Sequence, residues 1–193
     1  MFQFLYKLRL ILPLIFLSGY IHSSGFLRTD GRSIVDENGN PVLLRGFGLG
    51  GWLVQEGYMW NIHGFFGSPS NIESKIIDLV GTENTAAFYQ AYYENYITEA
   101  DVAFIAANGF NAIRVPFHYK FFSPAPGEYV QDGFNLIDQL LEWCSAYGVY
   151  LILDMHCAPG SQNTNDFSDS DGNVAGLWIH QSYRDWATAV WWY

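Results

Sequence analysis

The run Val149-Tyr-Leu-Ile-Leu-Asp-Met-His156 is apolar and of strand length. It places Asp154 and His156 on alternate positions and opens into the loop Cys157-Ala-Pro-Gly-Ser-Gln-Asn163. A parallel strand delivers functional groups to the C-terminal rim of a sheet or barrel in this way. An earlier run, Gly109-Phe-Asn-Ala-Ile-Arg-Val-Pro-Phe-His-Tyr119, carries Arg114 inside it. A charge buried in such a strand is costly unless paired, so it needs a reason. Side chains alternate along a strand, which groups Ala112, Arg114, Pro116 and His118 on one face and Ile152, Asp154 and His156 on one face of the next. If both faces point into a barrel, Arg114 and Asp154 are neighbours. Arg114 then presents donors to a carboxylate or sugar hydroxyl with Asp154 fixing its orientation, or the two form a purely structural ion pair.

Other reactive groups cluster near predicted strand ends. His156 could bind a sugar hydroxyl, carry a proton or bind metal, or be a satisfied rim histidine with no role. Metal is the weakest option: no second His stands at i+2 or i+4, and His63, His118 and His180 show no ligand spacing. Glu56 follows Gly51-Trp52-Leu-Val-Gln and is expected on the rim beside Trp52, Tyr58 and Trp60, where a carboxylate suits sugar hydroxyls; an ordinary exposed Glu is the alternative. Asp166, Asp169 and Asp171-Gly172 resemble a calcium loop only superficially. Phe167 occupies a ligand position and no Glu closes the loop, so these aspartates read as a solvated loop.

The elements that must position these groups are legible. Segments 32–35 and 42–45 flank Asp36-Glu-Asn-Gly-Asn-Pro41, a hairpin signal. The second arm runs into Gly46-Phe-Gly-Leu-Gly-Gly-Trp52, whose glycines permit close backbone approach; no Lys-Ser/Thr follows to make it a phosphate loop. Residues 53–97 are expected to hold two helices covering the rim, the first capped by Ser70-x-x-Glu73 and stopped by Gly81. Thr98-x-x-Asp101 caps another helix, closed by Gly109. Then come strand 112–117, a helix with Leu136, Ile137, Leu140 and Leu141 closed by Gly148, strand 149–155, and a last helix around Tyr183, Trp186 and Val190. Strands alternating with amphipathic helices predict right-handed βαβ units and a parallel sheet. The last helix has no stop signal, and a (β/α)8 barrel needs about 250 residues, so the pattern predicts a truncated barrel of about three βα units preceded by a β-hairpin.

Composition narrows the ligand. Half of the 193 residues are hydrophobic and 18% aromatic, enough for a core with aromatics to spare, which favours a carbohydrate as mildly as it favours an aromatic-rich core. A formal net charge of -10 makes nucleic-acid binding repulsive. Lys7 and Arg9 precede the apolar stretch 10–17, and Ser23, Ser24 and Gly25 follow, so residues 1–24 read as a cleaved signal peptide. That predicts a secreted domain, residues 25–193, with no stable membrane association; an uncleaved anchor is the alternative. Cys144 and Cys157 are expected ~15–20 Å apart on an antiparallel helix–strand pair, beyond disulfide reach, and so free.

Three pieces in this order resemble glycoside hydrolase family 5, the cellulase-like (β/α)8 enzymes: Leu44-Arg-Gly-Phe-Gly-Leu-Gly-Gly-Trp52, Gly109-Phe-Asn-Ala-Ile-Arg-Val-Pro116 and Leu153-Asp-Met-His-Cys-Ala-Pro-Gly-Ser-Gln-Asn163. The last, with Gly-Gly-Trp leading to Glu56, is most similar to the exo-β-1,3-glucanase branch. The resemblance implies retaining hydrolysis of β-glycosidic bonds in a glucan by two carboxyl groups, without a cofactor, by a monomer. It implies that Arg114 holds the nucleophile and that His156 lies near the reacting sugar. Glu56 is then a substrate contact in the exoglucanase branch only; Trp52, His118, Tyr119 and Asn163 are further expected substrate contacts. The family's two catalytic glutamates follow its fourth and seventh strands and are expected beyond residue 193; no Asn-Glu-Pro occurs in the chain. A non-catalytic carbohydrate-binding remnant and an unrelated metal-dependent barrel hydrolase are the rival readings.

Overall fold

The computed structural model describes residues 25–61, 67–170 and 172–193. The signal-like segment 1–24, His63 and Asp171 lie outside the described residues. Among those described, no helix is long and apolar enough to cross a membrane.

A small hairpin pairs β1 (Arg28–Asp30) with β2 (Ser33–Val35) antiparallel. This corrects the expected hairpin. The Asp36 turn does form, with Asp36 Oδ1 accepting the N–H groups of Asn38 and Asn40, but the return arm makes only one bridge, Val35 to Pro41. Pro41 has no N–H to extend a ladder. Residues 43–45 bond Asn111 instead: Arg45 N–H donates to its Oδ1 at 2.7 Å, and its Nδ2 donates to Leu43 O at 3.0 Å.

Three parallel strands follow in the order β3 (Gly46–Gly48), β4 (Ala112–His118) and β5 (Tyr150–Cys157). Gly46 is required where β3 meets β4, because a Cβ there would run into the Ala112 carbonyl. One sheet face, with Ile113, Val115 and Phe117, packs on α3 (Glu99–Ala107) and α4 (Gln131–Tyr147) through Val102, Ile105, Ile137, Leu140 and Cys144. The other face carries Arg114 and Asp154. Helix α3 has the expected capping box: Thr98 N–H donates to Asp101 Oδ2 at 2.8 Å. Helix α4 ends as expected at Gly148, whose left-handed φ of 69° closes it.

Between β3 and β4 run α1 (Pro69–Val80) and α2 (Thr82–Tyr96), both packed at the C-terminal end of β4. The cap of α1 differs from expectation. Ser68 is the N-cap, with its Oγ accepting the Asn71 N–H at 3.3 Å and Pro69 at the first helical position, where the missing N–H costs nothing. Ser70 is committed to Asp169 from the loop after β5. The chain closes with α5 (Gly176–Ile179) and α6 (Gln181–Trp192), whose Trp186 and Val190 join the core. Cys144 and Cys157 are buried free thiols.

Candidate active site

The register sets Arg114 beside Ile152 and Pro116 beside Asp154, so Arg114 and Asp154 meet diagonally on one face. Arg114 Nη2 donates to Asp154 Oδ2. His156 Nδ1 lies 2.9 Å from the same carboxylate oxygen and 3.1 Å from Arg114 Nη2. The carboxylate is the stronger acceptor, which favours the tautomer with the proton on Nδ1 and the Nε2 lone pair free. The guanidinium is not buried, as its apolar strand suggests, but 44% exposed against 31% for Asp154. A pair so open to water stabilises a fold by about 0–1 kcal/mol. It orients the groups far more than it holds the strands together.

Glu56 stands near this trio. It is only 7% exposed, so the ordinary exposed-Glu reading does not hold. Burial pushes its pKa above the usual carboxylate value, and the Asp166 charge adds to this, while His156 and Arg114 oppose it. Glu56, Arg114 and His156 thus share one electrostatic neighbourhood. The ring of Phe167 is 6.1 Å from the His156 ring. The sequence marks Asp166 and Phe167 only as parts of a solvated loop, not as neighbours of this cluster.

The two rim histidines separate. Simple alternation would set His118 opposite His156, but a bulge falls here: Phe117 pairs with Met155 and His118 with Cys157. The extra residue is His156. Bulges re-aim side chains in this way beside functional sites. His118 is 5% exposed and joins a second network. Its Nδ1 accepts the Lys120 N–H at 3.2 Å, so Nε2 bears the proton and donates to Asp169 Oδ2 at 3.0 Å. Burial lowers the His118 pKa and keeps the ring neutral. For Asp169, burial alone would raise the pKa. Hydrogen bonds from His118 and from the Ser70 hydroxyl and N–H outweigh it and hold the carboxyl well below its ordinary value. Asp169 is therefore a buried tether between the β5 loop, the start of α1 and the end of β4, not a solvated loop residue.

This geometry corrects part of the expected substrate-binding set. Trp52 is 2% exposed and donates its indole N–H to Tyr93 O at 3.2 Å, so its ring offers no face to a sugar. His118 has both nitrogens engaged. Asn163 Oδ1 shapes its own loop, accepting from Asn165 N–H at 2.8 Å and Ser168 Oγ at 2.9 Å. Tyr119 packs edge-on to Trp186 with ring centroids 4.9 Å apart, and burial pushes its phenol up to about 12. Among the described residues, no three His, Cys, Asp or Glu side chains group to hold a metal.

Comparison with known proteins agrees with this architecture. The model of the cellulases (glycosyl hydrolase family 5) matches residues 70–192. A beta-xylosidase of Phanerodontia chrysosporium is 38% identical over 168 residues, which are 86% of this chain and 35% of that protein. Glucan 1,3-beta-glucosidase 1 of Schizosaccharomyces pombe is 33% identical over 153 residues, covering 74% of this chain and 38% of its own length. The chain thus spans little more than a third of these relatives. The crystal structure of a rutinosidase from Aspergillus niger superposes with a TM-score of 0.63 at 20% identity, over 76% of this chain and 41% of that one, a likeness of fold. The three parallel strands and their helices form the N-terminal part of a (β/α)8 barrel, and the chain belongs to glycosyl hydrolase family 5.

Proposed function

We propose that the chain supplies the N-terminal part of a secreted, monomeric, retaining β-glycosidase that acts on a glucan-type polysaccharide. The observation that carries this reading is the grouping of Arg114, Asp154 and His156 on adjacent parallel strands, with Glu56 beside them, in a family 5 sequence. Retention needs two carboxyl groups about 5–5.5 Å apart, one as acid/base and one as nucleophile. Both are assigned to sequence outside the 193 residues. Arg114, oriented by Asp154, holds the nucleophile, and His156 offers Nε2 to the sugar at the reacting position. Glu56, buried beside His156 and Arg114, accepts from sugar hydroxyls. Tyr119 and Asn163 remain in the substrate-binding set; Trp52 and His118 leave it. The relatives' names, a beta-xylosidase and a glucan 1,3-beta-glucosidase, support a β-linked substrate. Secretion rests on the signal-like residues 1–24.

The test is reducing-sugar release from laminarin and soluble cellulose by residues 25–193, beside a form extended to a full barrel. Turnover is expected only from the extended form, and Arg114→Ala should lower its kcat. Clear turnover by residues 25–193, abolished by Glu56→Gln, would overturn the assignment of roles. Glucan binding without turnover by both forms would favour a non-catalytic carbohydrate-binding protein.

A further inference from the structure

The loop after β5 carries a side chain that reaches back to the Arg114 cluster without belonging to it. His156 is the extra residue of the bulge between β4 and β5. An inserted residue is left out of the regular ladder, so its backbone groups need other partners and strand pairing no longer fixes where its side chain points. Gln162 supplies the partner. Its Nε2 donates to the His156 carbonyl, and its Oε1 accepts the Ala158 N–H at 3.2 Å. A side-chain amide offers donor and acceptor together, as a peptide group does. Gln162 thus spans Cys157 and fastens the backbone on both sides of it, in the way a neighbouring strand would.

Gln162 is itself held in place. Its carbonyl accepts the Trp178 indole N–H at 2.8 Å. Ser161, just before it, has a φ of 63°, a left-handed conformation that is costly for a residue with a Cβ and persists only where its surroundings enforce it. Two hydrogen bonds do so: Ser161 N–H donates to Ala158 O at 2.9 Å, and its Oγ donates to Asp169 O at 3.3 Å. The strained turn brings the Gln162 side chain back onto the end of β5.

The His156 ring is then gripped from two directions. Its Nδ1 lies 2.9 Å from Asp154 Oδ2, the oxygen that also accepts from Arg114, while Gln162 fixes the backbone from which the ring projects. We propose that Gln162 is a positioning residue for His156: by fastening the bulge it holds the ring against Asp154, keeps the proton on Nδ1 and leaves Nε2 free. The use of that Nε2 on a sugar rests on the function proposed above; the positioning does not.

Long-range 1H–15N spectra of the imidazoles in the purified chain test this at about pH 8, where an ordinary histidine is neutral. They report which ring nitrogen bears the proton. The His156 signal is the one lost in His156→Ala, and His118, with its proton on Nε2, is the internal reference. Gln162→Met keeps the length and loses both amide contacts. It should lower the ratio of Nδ1–H to Nε2–H at His156 about fivefold, the equivalent of one ordinary hydrogen bond, and leave His118 unchanged. Gln162→Glu keeps an acceptor for the Ala158 N–H and loses only the donor to His156 O, so it should shift the ratio by a similar factor with a smaller fall in Tm. Trp178→Phe removes the indole donor to the loop and should lower Tm with the ratio unchanged. A wild-type ratio in either Gln162 variant would overturn the proposal. An equal change of ratio in Trp178→Phe would reduce Gln162 to loop stability and overturn it as well. No sugar enters these measurements, so their failure leaves the glucan reading to its own turnover assay, and failure of that assay leaves the positioning of His156 standing.

Discussion

Asp169→Ala should unfold the protein far more easily than a loop substitution would. Asp169 accepts from His118 Nε2 at 3.0 Å, Ser70 Oγ at 2.6 Å, Ser70 N–H at 2.9 Å and Lys120 Nζ at 3.4 Å. Its side chain is 9% exposed and that of His118 6%. Truncation leaves the buried imidazole N–H without an acceptor and removes an anion from the first turn of α1. A buried donor left unpaired costs about 1–3 kcal/mol, and a lost hydrogen bond to a charged group about 1.5–3 kcal/mol, before water compensates. Water can reach Lys120, so its share is small. The expected loss of about 3 kcal/mol corresponds to a fall in Tm of about 6–12 °C for a chain of this size. Circular dichroism melts at pH 7 measure it, and hydrogen exchange should locate the loosening at residues 68–72. Asp169→Asn keeps the shape and one acceptor oxygen, so it should lose about half as much. A shift of Tm for Asp169→Ala within about 2 °C would refute the tether and restore the solvated loop.

Three further outcomes are expected. Glu56→Gln should stabilise the protein at pH 7 and not at pH 4: the folded pKa of Glu56 is raised, so the folded state binds more protons and stability falls as pH rises above 4.5; equal melts of variant and wild type across that window would contradict it. Gly46→Ala should cost about 1–3 kcal/mol, read from urea denaturation, because the new Cβ meets the Ala112 carbonyl and must part β3 from β4. Cys144 and Cys157 should resist a thiol reagent at pH 8 until the protein unfolds, since burial pushes Cys144 up to about 12 and Cys157 higher still; fast labelling of the native chain would show that either thiol is accessible.

How much of this was legible in the sequence depended on the distance over which each feature is decided. Local chemistry wrote itself plainly. The Thr98–Asp101 box, the Gly148 stop and the apolar runs of β4 and β5 need only a few neighbouring residues, because caps, positive φ and alternation are properties of a short stretch. Alternation alone placed Arg114 with Asp154, and it did so because the pairing up to Phe117 is regular.

What failed was decided by residues far apart in the chain. Ser70 reads as an N-cap from its neighbours, but Asp169, 99 residues on, takes its hydroxyl, and Ser68 caps instead. The bulge at His156 inverts the relation of His118 to the site, and one extra residue leaves no mark on an apolar pattern that continues through Cys157. Trp52 and Glu56 both look like rim residues by position, yet α2 covers the first and the β5 loop lies against the second. The sequence by itself determined the strands, the helices and which reactive groups each strand carries, since those follow from short-range sterics and periodicity. Only the tertiary structure decided which of those groups stay open to a ligand and which become part of the frame, because burial and hydrogen-bond partners are set by elements that the chain brings together from a hundred residues away.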